Sequence, residues 1–573
     1  MTKGRYYSKV DRDAKWQSAR HPLTGKAPDG AMKASNALSN RQLVEKALIM
    51  LFGFLASGVF GLLRIAVLAS QFGTGAAHDS FNSAQQIPEL VFVLVAGGAL
   101  GSSFIPVYAR IREGDPQQAW RLASAAMTLA ALAAAILGLI VTVFAPQIVS
   151  GVLSAGRPPD EQQLTVEMIR LMMLTPFIFS ISGLVMGILQ SHAVFWLPAI
   201  AISMNNIGII IGALFIAPHL PARPDVGQVG DLNVMGLAYG AVLSAALHLL
   251  VQLPGLFKLR APLRPLFSWR VPGVIDVLRL MGPRVIGLAV VQVNFVVNIY
   301  LANHMVQGSV TALRFAFMMM FFVLGVIGQS VGSAVFPSLA ALWAEGNLED
   351  FKDRLSRAMR NVLYLSFPAT VLFIMLGEPI FSILERGEWT SESSQAAAWA
   401  LGFYALGIAG FTLLEVLSRA FYALEDTLTP VVVGAGAMVT NIVLNLIFIQ
   451  FIGDPTSLAR GAFAGLALAN ALTTLVESAL LWWLMRRRLG AQGAAGGIHD
   501  GAVLRSAGGS LLAALIMGLC LWLWLLSSAM SASGWILAIG GALIGAIVFF
   551  GLSYLFNLSE TRALAAPILR RLT

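Results

Sequence analysis

The sequence predicts an all-α polytopic membrane protein of about fourteen transmembrane helices, in two parallel six-helix repeats around a central cavity, with two extra C-terminal helices. Three observations predict it: an apolar composition, a regular alternation of basic loops, and an internal repeat. Of 573 residues, 57% are hydrophobic and only 12% charged, and the mean hydropathy is +0.76. Soluble domains run at roughly half apolar and a quarter charged. A soluble chain this apolar could not cover its surface with polar groups, so the bilayer is the solvent for most of it.

A span takes about 20 apolar residues to cross a hydrocarbon core of roughly 30 Å. Such segments fall at 46–71, 80–109, 122–154, 164–190, 193–217, 233–257, 283–304, 309–343, 360–385, 394–422, 428–452, 459–485, 506–528 and 533–556. Pro88 lies inside the second, where neighbouring helices can satisfy the freed backbone groups. With the N-terminus placed in the cytoplasm, the inside loops collect Arg110, Arg112 and Arg121, then Lys258, Arg260, Arg264, Arg270 and Arg279. Lys352, Arg354, Arg357, Arg486, Arg487, Arg488 and Arg505 follow, and the tail adds Arg562, Arg570 and Arg571. The outside loops hold one Arg each, Arg157, Arg223, Arg386 and Arg460. That asymmetry orients the chain with both ends in the cytoplasm of a cell whose plasma membrane it spans. It also explains the net charge of +9 as a topology signal and argues against nucleic acid as a partner.

The chain divides into a basic, disordered cytoplasmic tail (1–42), six spans (43–257), a linker (258–282), six more spans (283–490), and a last pair with the C-terminal end (491–573). The tail lacks the apolar core of a cleavable signal peptide. The stretch 258–282, with Pro262, Pro265, Trp269 and Arg270, reads as a linker with an interfacial amphipathic helix. The two groups of six repeat one another. Gly101-Ser-Ser-Phe-Ile-Pro106 with Glu113-Gly114 returns as Gly332-Ser-Ala-Val-Phe-Pro337 with Glu345-Gly346, and Pro198 and Asn206 return as Pro430 and Asn441. An even number of spans per unit leaves the copies parallel, the plan of an alternating-access transporter.

The ordered series Gly61-Leu-Leu-Arg64, Phe72-Gly73, Asp79-Ser-Phe81, Pro88, Gly97-Gly98-Ala-Leu100 and Phe104-Ile-Pro106 carries a resemblance. It continues through Gln252-Leu-Pro254, Met281-Gly-Pro283, Gly308-Ser-Val310, Phe336-Pro-Ser-Leu339, Arg386-Gly387, Arg419-Ala-Phe-Tyr422 and Thr429-Pro430. Over about 45–490 the chain resembles the MurJ (MviN) lipid II flippase family of the MOP exporter superfamily. The resemblance implies two six-helix lobes around a cationic cavity, and a groove beside spans thirteen and fourteen for an undecaprenyl tail. The implied substrate is lipid II, an undecaprenyl-pyrophosphate-linked saccharide. A pyrophosphate calls for buried arginines. Arg64 and Asp79 fall on family positions. Several family charges are replaced here: Gly58 and Phe92-Val93 stand where arginines are usual, Gly97 where an acid is, and Phe317-Met318 and Phe321 where Asp-Arg and Glu are.

Arg284, Arg314 and Arg419, in or at the edges of spans, can supply charge from other positions, so the candidate cavity set is Arg64, Asp79, Arg284, Arg314 and Arg419. Each Arg could instead snorkel to an interface, and Arg419 sits i,i+4 from Glu415, the spacing of an intrahelical ion pair. Asn294 with Asn298 and Asn441 with Asn445 are further i,i+4 pairs. They could coordinate a monovalent cation, or hydrogen bond between spans. Some relatives bind sodium with carboxylates in this lobe; no carboxylate accompanies these four amides in sequence, and Glu477 is isolated.

No cofactor is expected: the one cysteine, Cys520, sits in an apolar run, the histidines lack metal-ligand spacing, and no phosphate loop or catalytic triad occurs. A coupling cation or the membrane potential is the expected energy source. A membrane glycosyltransferase would need an acidic constellation at a surface loop, and the outside loops offer only scattered acids such as Asp160, Glu161, Asp225 and Glu388. The reading is therefore a monomeric flippase in contact with membrane lipids and not an enzyme. Its alternative is a relative exporting another polyprenyl-linked saccharide, or a drug by cation antiport.

Overall fold

Helices occupy all fourteen expected positions in the computed structural model, which describes residues 40–95, 99–490, 498–528 and 533–562. The tail up to residue 39, the Gly97-Gly98 pair, and Arg570 and Arg571 lie outside the described residues. Met1–Leu48 and Ile49–Thr573 form two separate units. In chain order the helices are α1 (Asn40–Phe72), α2 (Ala76–Val95), α3 (Ala99–Gly114), α4 (Pro116–Ile148), α5 (Pro159–Met172), α6 (Leu174–Ser191), α7 (Trp196–Ile211) and α8 (Met235–Leu250). After the short α9 (Leu253–Lys258) come α10 (Val274–Asn303), α11 (Ser309–Leu324), α12 (Ser330–Ala344), α13 (Leu348–Ser382), α14 (Ser391–Ala405) and α15 (Ile408–Ala423). The last four are α16 (Leu428–Phe451), α17 (Ala464–Gly490), α18 (Asp500–Ser528) and α19 (Gly534–Leu555).

Ten described helices are long and apolar enough to cross a membrane, or eleven if α14 and α15, bent by 48° at their junction, are one span. Single π-helical turns extend or join helices at Val149–Leu153, Gly212–Ile216 and Gly325–Gln329. The third links α11 to α12 through a span 36 residues long. Both copies of the repeated Gly-Ser motif fold alike, with Pro106 inside α3 and Pro337 inside α12. A two-residue antiparallel pair, β1 (Gln228–Val229) and β2 (Leu232–Asn233), closes the loop before α8.

The largest core cluster runs from Ile65 to Ala467 and draws on helices before and after residue 258. A second joins α12, α13, α15 and α17, and a third packs α18 and α19 on α13 around Tyr364, Met517 and Phe549. The last pair of helices thus packs chiefly on α13, and Asp500 at the start of α18 also accepts from Trp482 Nε1 of α17 and pairs with Arg486.

Within the 258–282 stretch the helix is confined to the part from Val274. Residues 261–270 form no helix, and α10 begins at Val274, earlier than the expected span. Pro262 and Pro265 cannot donate a helical hydrogen bond and disfavour helix before themselves. The backbone N–H groups of Arg264 and Leu266 donate instead to Ser124 Oγ and Thr128 Oγ1 of α4. Phe267 and Trp269 are left exposed, Trp269 by 52%.

Candidate functional site

The connections at 73–75, 154–158, 304–308 and 383–390 gather at one end, called distal here. Arg64 lies eight residues before the end of α1, about 12 Å in from that end at 1.5 Å per residue. Arg314 is the sixth residue of α11, and its Nη2 lies 3.5 Å from Glu89 Oε2 of α2. Arg64 reaches the same pocket, which Asn82, Gln85, Phe315 and Met318 also line. Its hydrogen bond to a described residue there is weak, Nη2 to Met318 Sδ at 3.7 Å. The Nε atoms of both arginines are buried without a hydrogen-bond partner. Two guanidiniums therefore share one carboxylate, leaving a surplus positive charge and unused donors, the local condition for holding an anion.

Asp79 sits elsewhere. It is 1% exposed and accepts hydrogen bonds from Gly308 N (2.7 Å), Thr311 N (2.8 Å) and Thr311 Oγ1 (2.7 Å). Those are orphan donors of the first turn of α11, so the carboxylate serves as that helix's cap from across the molecule. Gly308 has φ of +93°, and a Cβ there would strike the Thr74 carbonyl at 2.7 Å, so only glycine suits the position. With both carboxylate oxygens engaged, Asp79 is not a free cavity ligand as the resemblance implied. Arg157 stands 3.7 Å from Asp79 and 4.0 Å from Glu161, all three side chains under 10% exposed. Gln307 donates to Glu161 Oε1, Asn303 to Ser83 Oγ, and Thr74 and Ser393 share a hydroxyl bond. Glu388 N donates to the Ser70 carbonyl. Together these contacts seal the distal end between helices before residue 258 and those after 274.

Arg419 is remote from this seal. Its Nη1 lies 2.8 Å from Glu415 Oε1, and the guanidinium lies across Gly332 of α12, where a Cβ would push it aside. The side chain of Arg284 lies outside the described residues. The structure thus brings Arg64 and Arg314 together and separates Asp79 and Arg419 from them.

The four asparagines form a closed ring between α10 and α16. Asn294 Nδ2 donates to Asn441 Oδ1 (2.9 Å), Asn298 Nδ2 to Asn294 Oδ1 (2.6 Å), and Asn445 Nδ2 to both Asn298 Oδ1 (3.0 Å) and Asn441 Oδ1 (3.1 Å). Three of the four amide oxygens thus face amide donors within the ring.

Sequence reasoning missed Glu89, Arg157 and Glu161. Glu89 had a visible signal, an acid beside Pro88 within an apolar segment. Arg157 looked like a loop residue because its partner Asp79 lies far from it in the chain. The family charges missing from sequence are replaced by aromatic contacts: Phe92 packs on Phe179 at 5.5 Å, and Phe317 on Phe295, Phe321 and Tyr404 at 5.5–5.8 Å.

The helix arrangement is the fold of MOP-type membrane transporters. A structure titled as an inward-facing MATE family multidrug resistance transporter of the MOP superfamily aligns with TM-score 0.61 and 17% identity, over 77% of this chain and 96% of that one. A structure titled lipid II flippase MurJ, inward closed conformation, aligns with TM-score 0.71 and 21% identity, over 89% of this chain and 98% of that one. The profile of the family described as lipid II flippase MurJ matches residues 68–539. The lipid II flippase MurJ of Burkholderia cenocepacia is 30% identical over 452 residues, 77% of this chain and 84% of the relative. The probable lipid II flippase MurJ of Vibrio cholerae is 29% identical over 465 residues, 77% and 83% of the two chains. The chain belongs to the MurJ lipid II flippase family.

Proposed function

We propose that the protein carries lipid II from the inner to the outer leaflet of a bacterial plasma membrane by alternating access. The observation that carries the reading is the Arg64–Arg314 pair, two guanidiniums against the single carboxylate of Glu89 at the sealed apex. A diphosphate entering from the other end meets unused donors and a surplus positive charge there. The lobes, 43–257 and 283–490, then rock about the apex. The seal of Asp79, Arg157 and Glu161 opens, and the head group leaves distally while its prenyl tail stays in lipid. The Lys/Arg distribution makes the distal end the outer one. The membrane potential or a cation gradient supplies direction.

The test is rescue. A bacterium depleted of its own lipid II flippase receives this chain, Arg64→Ala or Arg314→Ala, and survival and surface-exposed lipid II are scored. Rescue by the parent, with at least tenfold less surface lipid II for each variant at equal membrane level, is the expected outcome. A parent chain that reaches the membrane and does not rescue would overturn the assignment of lipid II. A second reading, another polyprenyl-linked saccharide, has its own support in the aromatic contacts of Phe92 and Phe317, which stand where family members carry charge. Surface exposure of that saccharide without rescue would select it.

A further inference from the structure

We propose that Glu477 is a proton-binding site at the end of a hydrated polar lane between α16 and α17. Glu477 lies thirteen residues into α17 and nine before Arg486, about 20 Å and about 13 Å along the axis, so it sits within the hydrocarbon layer. It makes no ion pair or hydrogen bond with any described residue. An ionisable group at that depth is costly and calls for a function.

The side chain does not face lipid. The outward face of α17 carries Val476, Leu480 and Trp483, 62%, 41% and 43% exposed. Ala471 and Leu475 pack on Gly407 and Gly410 of α15. Asn470, Thr473 and Glu477, spaced three and four apart, share a third face. Glu477 Oε1 approaches to 3.3 Å the position a Cβ would take on Gly434 of α16, and nothing else comes within 4 Å of that position.

Gly434 meets Glu477 and Phe448 meets Gly465, and this antiparallel register sets Asn441 level with Asn470 and Thr473. Here four buried polar atoms have no hydrogen-bond partner: Asn441 Nδ2, Asn445 Oδ1, Asn470 Oδ1 and Thr473 Oγ1. Buried polar atoms are nearly always satisfied, by water where protein supplies nothing. Four orphans spread over about two turns, on the way to an unpartnered carboxylate, describe a file of water with an acid at its end. The file delivers a proton from water to the carboxylate, converting it to the neutral acid, and takes it back by the same route.

The charged and titratable groups on the elements packed against α17 are few. α16 has none, α15 brings Tyr422 and the Glu415–Arg419 pair, and α14 brings Tyr404 and, at its distal start, Glu392. Arg486, Arg487 and Arg488 lie at the far end of α17 itself. Among the described residues no cation is fixed beside Glu477 to hold it ionised.

The experiment uses the full chain in liposomes. Dicyclohexylcarbodiimide reacts with protonated carboxyls in apolar surroundings, and mass spectrometry locates the adduct. Labelling of Glu477 that falls as pH is raised, and is absent in Glu477→Gln, is the expected result. In parallel, proton uptake after a downward pH jump is compared between parent and Glu477→Gln, and the variant should take up less. Glu477→Asp, which keeps the carboxyl, should restore both signals. Equal proton uptake by parent and Glu477→Gln would overturn the proposal. So would labelling indifferent to pH but suppressed by sodium ions, because the carboxylate would then hold a metal cation. The proposal does not rest on the identity of the carried lipid, and the rescue experiment tests that separately.

Discussion

The protein holds helices together by two buried polar networks of opposite character. The distal seal is charged and over-determined: Asp79 accepts three hydrogen bonds and has Arg157 beside it, and Glu161 is bonded by Gln307. The ring of Asn294, Asn298, Asn441 and Asn445 is neutral and joins α10 to α16 alone. A charged network is strong only while every partner is present, because an orphaned ion in a dry site bears its full desolvation cost. It suits a contact that is either wholly made or wholly opened to water. A neutral amide ring tolerates partial loss, and in membrane interiors such bonds contribute about 0.6 kcal/mol each on average. It suits two helices that move together.

The comparison breaks first at Asp79. Asp79→Ala strips α11 of its cap and leaves Arg157 with only Glu161 at 4.0 Å. Loss of about 3–5 kcal/mol is expected, read as a large fall in unfolding temperature in detergent, together with loss of surface-exposed substrate. Asp79→Asn keeps an acceptor for Thr311 and should fall between the parent and the alanine variant. A small change in both variants would mean the seal is not held by charge.

Thr311→Val probes the same seal more gently. It removes the hydroxyl bonds to Asp79 and Asn82 while the backbone N–H bond remains. A cost of about 1–2 kcal/mol is expected from unfolding curves. A loss as large as that of Asp79→Ala would show that the hydroxyl, not the helix terminus, carries the carboxylate.

What the sequence conveyed follows the same division. Span positions were legible because each is a local sum of side-chain transfer energies, and Pro262 and Pro265 held enough information to deny residues 261–270 a helix. The i,i+4 spacing of the asparagines was legible on each helix separately. The pairing of Arg64 with Arg314 was not, since 250 residues separate them and nothing local fixes the register of α1 against α11. Asp79 read as a cavity ligand because it falls on a family position. Its partners are two backbone N–H groups and a hydroxyl, and no sequence pattern marks them.

The ring supplies the smaller effect. Asn294→Ala removes a donor to Asn441 and an acceptor for Asn298, yet the bonds from Asn445 remain. A loss of about 0.6 to 1.7 kcal/mol is expected, with transport retained. A collapse in stability comparable to Asp79→Ala would mean that the ring bears on more than α10 and α16.

The smallest effect separates the seal from a neighbouring surface pair. In the loop before α8, Asp225 accepts from Arg223 at 2.6–3.1 Å and from Gly227 N, and Arg223 also meets Glu167 at 2.9 Å. The Arg223 guanidinium holds the Asp225 carboxyl below its ordinary value, with the Gly227 N–H adding to it. A folded-state value below the unfolded one means that the stabilisation is complete above about pH 4 and is lost as pH falls through the folded value. Both side chains are about a fifth to a quarter exposed, so the contribution is only about 0.5–1 kcal/mol. Unfolding temperature followed down from neutral pH should therefore lose a small acid-side component in Asp225→Asn and retain the rest. If the acid-side loss is unchanged in Asp225→Asn, the Arg223–Asp225 pair does not carry it. If it disappears altogether, that pair carries all of it.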